Sequence, residues 1–385
     1  MGVRRCMGRS GRRWGLPLAV VAAAVAVTGC HRHEEWEPLM TQKIYVSDRF
    51  YDIEILGPKE ALVVGYNGKL LRTTDFGTTW EIIPSGSENG LYSMGFAADK
   101  KTGWMVGQAG AIQKTTDAGK TWTVQGGDIY MGDECREQKG DPDATDESDK
   151  CPLAPLFAVS VVDANMAVAI GDRSTLTLTR DGGATWKTTT LEPIVAGPEN
   201  VDPNFGIAFE DPVLYDVQFL NTQVGFVVGE FGKILKTTDG GATWHDKQAA
   251  LVGDQYFDIN ELPTFFDVDF RNDTEGYVVG LEGRVAKTAD GGETWAWVEH
   301  GVEAYDAPFY SVDILPNGKV WAVGGSGQAV SGAAQGLGKG DLGTRVTNWI
   351  RDVEFYDDNI GWMVGGFGFI MNTNDGGKTW FRRIG

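Results

Sequence analysis

Few side chains in this 385-residue chain have the chemistry of a catalyst, and those few are poorly placed for it. There are four histidines, His31, His33, His245 and His300, and four cysteines, Cys6, Cys30, Cys135 and Cys151. None of them stands at the short spacings from which zinc sites are built. Between Cys135 and Cys151 the chain is strongly acidic, and Asp141, Asp143, Thr145, Asp146 and Asp149 offer oxygens to a calcium ion. The glycine and terminal glutamate of an EF-hand loop are missing there, so a solvated acidic loop is the stronger expectation. Residues 332–340, GAAQGLGKG, have the glycine content of a phosphate loop. Its spacing fails, because Ala333 stands where the first glycine belongs and Gly340 where a Ser or Thr belongs. The expectation is a flexible loop, with no catalytic residue, no metal and no cofactor anywhere in the chain.

Repetition is far better represented than chemistry. The pattern T-x-D-x-G-x-T-W occurs six times, and its paired residues are Asp75 and Trp80, Asp117 and Trp122, Asp181 and Trp186, Asp239 and Trp244, Asp290 and Trp295, and Asp375 and Trp380. The interval from Asp290 to Asp375 is about twice that from Asp75 to Asp117, so one unit without the pattern lies inside it. An apolar run ending in glycine precedes each copy, and an extra one, WAVG at Gly324, falls in the long interval. Upstream of each run lies an alternating segment: FYDIEI, LYSMGF, LFAVSV, LYDVQF, FFDVDF, FYSVDI and IRDVEF. Period-two alternation is the signature of strands. Seven units of about four short strands cannot each bury both sheet faces alone, and stacking them around an axis solves that. The sequence predicts an all-β fold, a seven-bladed β-propeller of four-stranded antiparallel blades over 41–385. With strands lettered A to D outward, each box is a C–D hairpin. Its Asp accepts backbone N–H groups, its Gly supplies a positive φ, and its Trp buries on the order of 200 Å². The segment 41–47 adds to the first blade or the last; the sequence leaves the seam open.

The boxes resemble the Asp-box, or bacterial neuraminidase, repeat. The longer unit, cleanest in GEFGKILKTTDGGATW (229–244), resembles that of the photosystem II stability and assembly factor family. That resemblance implies a seven-bladed propeller serving as a non-catalytic scaffold in the assembly of a membrane protein complex. Sialidases share the box, and a carbohydrate-binding or hydrolysing propeller is therefore one alternative; an accessory subunit of an envelope transporter is another. Sialoside hydrolysis needs three convergent arginines and a Tyr–Glu pair. The alternating segments contain only Arg351.

Topology then separates two faces. All box turns share one face, and all D-to-A connections, including the long ones at 123–155, 187–213, 245–263 and 296–308, share the other. Long loops on a rigid scaffold are the usual place for binding. Phe205 and Tyr256 in those loops are expected to touch a partner. So are Asp216, Asp267 and Asp352, the polar members of strand A nearest the axis, which are expected to ring the channel mouth and hold a cation or a basic segment, with Arg351 partly neutralising them. The competing expectation is that these acids cap backbone groups of neighbouring strands.

Residues 1–29 read as a signal peptide, with Arg4, Arg5, Arg9, Arg12 and Arg13 before an apolar stretch from Leu16 to Val27. Val27-Thr28-Gly29-Cys30 resembles the lipobox of bacterial lipoproteins, which implies an acylated Cys30, a tether over 30–40 and attachment to a membrane. His31 rather than Asp after that cysteine favours, by resemblance to sorted lipoproteins, the outer membrane and a periplasm-facing chain. Losing five arginines makes the formal charge of −19 five units more negative, which excludes nucleic acid as a partner. The mature chain is expected to be a monomer. In an oxidising compartment Cys135 and Cys151 are expected to pair. Alkylation of the exported chain without reductant should leave both unlabelled, and a modified Cys135 would refute the pairing.

Overall fold

In the computed structural model, residues 43–125, 153–191, 211–252, 261–302, 307–333 and 336–383 are described. Cys30, Cys135, Cys151, Phe205 and Tyr256 lie outside them. Seven four-stranded antiparallel sheets follow one another along the chain, each built from consecutive strands. The innermost strands are Phe50–Gly57, Leu91–Phe96, Leu156–Val161, Leu214–Phe219, Phe265–Phe270, Phe309–Ile314 and Ile350–Phe355. Each second strand is a buried run, such as Gly225–Gly229, whose side chains fill the spaces on both sides of the sheet. Continuous apolar runs do this because a blade is covered on both faces by its neighbours. The core is accordingly spread between blades; one cluster joins Phe226, Val228 and Ile234 of the fourth blade to Phe265, Val268, Phe270 and Trp295 of the fifth.

The six boxes form one repeated hydrogen-bonded turn. In the fourth blade Thr237 Oγ1 donates to Asp239 Oδ1 at 2.8 Å and accepts the Gly241 N–H at 2.9 Å. Asp239 Oδ1 also accepts the Thr243 N–H at 2.9 Å, while Oδ2 takes the Thr243 hydroxyl at 2.6 Å. Box tryptophans pack edge-on against aromatic residues of their own and the preceding blade: Trp380 lies 5.8 Å from Phe355 and 5.4 Å from Trp321 between ring centres. Trp80, Trp244, Trp295 and Trp380 are buried, and Trp122 and Trp186 half-buried.

A cation just upstream of a box, or within it, reaches the box of the following blade. Arg72 donates to the Ala118 carbonyl, Lys114 to Gly182, Arg180 to Gly240 and Lys236 to Gly291. Asn372 closes the ring by donating to the Phe76 carbonyl at 3.0 Å.

Two details differ from or complete the sequence reading. A loop is expected over 332–340, yet Ala329–Ala333 and Gly336–Lys339 pair as a regular hairpin, with Ala333 opposite Gly336. Without a box to end strand C, the ladder runs on and its small residues fit the close-paired strands. At the seam the last blade supplies its own outer strand, Phe381–Arg382. Residues 43–49 add a strand to neither blade; Arg49 bridges Gly366, and Ile44 packs with Phe50, Trp362 and Ile370 across the junction.

The box turn also dictates where glycine is obligatory. Gly377 has φ +77°, and a Cβ there would sit 2.4 Å from Trp321 of the preceding blade, whereas at Gly301 (φ +63°) nothing lies within 4 Å. Gly301→Ala should therefore cost only the left-handed backbone penalty, about 1 kcal/mol. Gly377→Ala adds a clash and should cost about 2–5 kcal/mol. Equal urea midpoints for the two variants would contradict this packing.

Candidate binding site at the axial mouth

The inner strands enter the axis from the face of the D-to-A connections, and each carries a β-bulge at its second residue. In the first blade Phe50 pairs with Gly65 and Asp52 with Val64, leaving Tyr51 as the extra residue. The same irregularity falls at Tyr92, Phe157, Tyr215, Phe266, Tyr310 and Arg351. A bulge re-aims a side chain without ending the strand. Here it turns two successive residues of every blade toward the axis.

The first of each pair forms a collar. Ring centres step round from Tyr51 to Tyr92 at 5.3 Å, to Phe157 at 5.6 Å, to Tyr215 at 5.8 Å, to Phe266 at 4.9 Å and to Tyr310 at 5.5 Å. Arg351 completes the circle with its guanidinium 5.7 Å from the Tyr310 ring centre and its Nη1 donating to the Tyr310 carbonyl at 3.0 Å. On the other side of Tyr51 the indole of Trp349 stacks at 6.1 Å. Collar and floor enclose a cavity of about 70 Å³, whose floor is Asp52, Ser93, Ala158, Asp216, Asp267, Ser311 and Asp352.

The floor residues hold the blades to one another. Asp216 Oδ2 accepts the Val268 N–H at 3.1 Å, Asp267 Oδ2 the Val312 N–H at 2.6 Å, and Asp352 Oδ2 the Ile53 N–H at 2.9 Å. Asp52 accepts the Met94 N–H, and Ser93 Oγ the Val159 N–H at 3.3 Å. A second tier lies deeper: Gln218, Asp269, Asp313 and Glu354 accept the N–H groups of Phe270, Ile314, Phe355 and Ile55. Every acceptor serves the next blade in chain order. Asp216, Asp267, Asp352 and Arg351 are thus brought to one place, and the three acids cap neighbouring strands while still half-exposed to the cavity.

Packing acids so closely shifts their titration. Burial, and then the neighbouring Asp216, hold the Asp267 carboxyl well above the usual range. Burial, and then Asp352, do the same to Asp52. Asp269 is pushed up to about 6, chiefly by burial. Burial also leaves the Asp216 carboxyl raised, against the opposing hydrogen bonds from Asp267 and backbone N–H groups and the charge of Arg351. Box aspartates behave oppositely: Asp239, Asp290 and Asp375 are held at about 2, first by the threonine hydroxyl four residues on.

The aromatic collar escaped the sequence reading. Strict alternation places Tyr51 and Asp52 on opposite sides of a strand, and the bulge overrides it. The available signal was the apolar–aromatic–polar start shared by FYD, LYS, LYD, FFD and FYS.

Six Asp-box hairpins on seven four-stranded blades, with one collared mouth on the face opposite the boxes, define a seven-bladed Asp-box propeller. The chain belongs to the photosynthesis system II assembly factor YCF48 family, whose model matches residues 30–134, 203–263 and 255–336. It is 34% identical over 80 residues to a photosystem II assembly lipoprotein Ycf48 of Synechococcus sp. strain CC9902, covering 21% of this chain and 22% of that protein. It is 24% identical over 276 residues to the stability/assembly factor HCF136 of Arabidopsis thaliana, covering 55% of this chain and 63% of the relative. The chain thus spans less than two thirds of either relative. Among solved structures, YCF48 from Cyanidioschyzon merolae matches with a TM-score of 0.61 at 18% identity, over 88% of this chain and 97% of that one. A structure described as YCF48 bound to D1 peptide matches at 0.58 and 17% identity, over 86% and 94%. At these identities the structural likeness establishes the fold.

A pH dependence follows from the two classes of carboxylate. A group whose folded-state pKa is raised favours folding while protonated, so its contribution is lost as pH rises from about 4 through its folded value. For Asp269 that value is about 6. The boxes contribute above the ordinary carboxylate range and lose that contribution as pH falls through about 2. Thermal stability should therefore peak in mildly acidic solution. Asp267→Asn keeps an acceptor for the Val312 N–H and removes a buried charge. It should melt higher than the native chain at pH 8 and show a smaller difference at pH 5. Parallel melting curves for the two proteins across that range would contradict the assignment.

Proposed function

We propose that this chain is a non-catalytic scaffold that binds a segment of a membrane protein complex while that complex is assembled. The single observation that carries this reading is the collar, a half-buried ring of six aromatics and Arg351 aimed by seven bulges at the axial mouth. Inward-facing aromatics partly open to solvent suit contact with another polypeptide. Family membership supports the scaffold role, and the relative described as bound to a D1 peptide supports a peptide segment as the thing held.

Tyr66, Leu281 and Phe367, exposed on the B-to-C turns, widen the apolar surface on the same face as the mouth. The long D-to-A connections leave their strands on that face as well. In this reading Phe205 and Tyr256 belong to its rim, and Cys135 and Cys151 close one of its loops.

Attachment follows from the N-terminus. The proposal includes an acylated Cys30, a tether over 30–40 and a chain facing the periplasm from the outer membrane. The lipoprotein name of the Synechococcus relative supports the lipid anchor.

Crosslinking in native membranes followed by mass spectrometry tests the reading. Crosslinks should join the collar face to subunits of one membrane complex and should vanish in a Tyr51→Ala, Tyr215→Ala, Phe266→Ala variant that still folds. Cys30→Ala should move the chain to the soluble fraction. Partners retained by the collar variant, or crosslinks mapping to the box hairpins, would overturn the assignment of the binding face.

A further inference from the structure

We propose that the collar is the docking surface for a basic segment of its partner, with a lysine or arginine side chain entering the axial mouth; this rests on reading the mouth as the partner site. The first ground is the chemistry of the collar. Tyr51, Tyr92, Phe157, Tyr215, Phe266 and Tyr310 line the mouth. Aromatic faces carry negative quadrupole density and attract ammonium and guanidinium groups. The structure holds an internal precedent, since the Arg351 guanidinium already sits 5.7 Å from the Tyr310 ring centre. One cation is thus already accommodated at Tyr310 by the seventh position of the circle, and five further rings line the mouth.

Charge complementarity gives the second ground. Asp52, Asp216, Asp267 and Asp352 form the floor directly beneath the rings. Glu54, Asp269 and Glu354 lie behind Asp52, Asp267 and Asp352 on the same strands, and Asp313 lies behind Ser311. Against these stand Arg351, Arg49, whose side chain is hydrogen-bonded to Tyr51, and Lys100, whose ammonium is already engaged with Glu54 at 2.6 Å. An acidic segment would meet the floor carboxyls and those behind them, and the cations there, Arg351, Arg49 and Lys100, are each already bonded within the chain. A basic one would be drawn in from outside, toward a chain whose formal charge is −19.

Size is the third ground. A cavity of about 70 Å³ admits the head of a lysine or arginine. It is too small for a folded element, so the occupant is a side chain, with the rest of its segment lying over the rim.

Selection of random phage-displayed peptides on the full chain tests this. Peptides rich in Lys or Arg should be enriched. Replacing collar rings, as in Tyr51→Leu, Tyr215→Leu and Phe266→Leu, should weaken their binding by roughly two- to thirtyfold for each ring that contacts the cation. Asp216→Asn with Asp267→Asn, which keeps the N–H acceptors, should weaken it as well. Methylguanidinium added to the native chain should strip the basic peptides, a measurement that needs no variant to fold. Enrichment of acidic or uncharged peptides that the leucine variants lose would overturn the basic partner while leaving the mouth as the binding site. If no enriched peptide depends on the collar, both readings fall.

Discussion

Backbone N–H groups on the axis of a propeller are a structural problem, because the innermost strand of each sheet has no further strand to pair with. This protein answers with side chains. At each junction an Asp, Glu, Gln or Ser on one inner strand accepts an N–H from the inner strand of the next blade, and the last such pair, Asp352 to Ile53 and Glu354 to Ile55, joins the final blade to the first. The ring therefore closes by the same interaction that builds it. A segment exchanged between the chain ends is not required, and residues 43–49 merely cover the seam. Hydrogen bonds to charged acceptors contribute about 1.5–3 kcal/mol each, more than neutral ones. Concentrating them at the narrowest part of the molecule has an electrostatic cost, which appears as the raised titration of Asp52, Asp267, Asp313 and Glu354.

That cost connects stability to binding. A belt of carboxylates that must lie side by side to cap the blades also gives the axis a negative character. The bulge then places an aromatic residue, or Arg351 in the last blade, directly above each belt position. In most inner strands one geometric device, a single extra residue, thus separates the two tasks: the third residue holds the ring and the second faces the outside. Blade three departs from the pattern, with Phe157 in the collar above Ala158, which accepts nothing at its floor position.

Much of this was legible before any coordinates. Box spacing and the unpaired WAVG at Gly324 count the blades, because the hairpin chemistry of Asp239 and Gly241 is local and recurs wherever its eight residues recur. The division into two faces follows from strand order alone. The collar was not legible, since alternation is a rule about unbroken strands and the register shift at Tyr51 depends on pairing with a partner strand. Whether an acid on strand A caps a backbone group was likewise open, because the donor lies in another blade some 42 to 52 residues further along, as with Asp52 and Met94 or Asp216 and Val268. Residues 332–340 misled for the converse reason. Their glycines read as a loop, yet a hairpin needs only backbone partners.

The two belts, one of acceptors at the axis and one of cations reaching box carbonyls, compensate for each other round the ring. Among the described residues, the axial side-chain acceptor between the second and third blades is Ser93, and between the third and fourth Ser160, with no carboxylate at either junction. Those junctions carry cationic ties at the box face, Lys114 to Gly182 at 2.6 Å and Arg180 to Gly240 at 2.5 Å. The sixth blade has no box, so the fifth has no box carbonyl to reach. That junction instead has two carboxyl acceptors at the axis, Asp267 at 2.6 Å and Asp269 at 2.8 Å. Blade three departs from the belt at Ala158 and blade six from the box at 332–340, and in each case the other belt is intact. The repeat can therefore lose one of its two interblade contacts at a position without opening the ring, which is the physical reason its units can diverge where a binding surface needs them to.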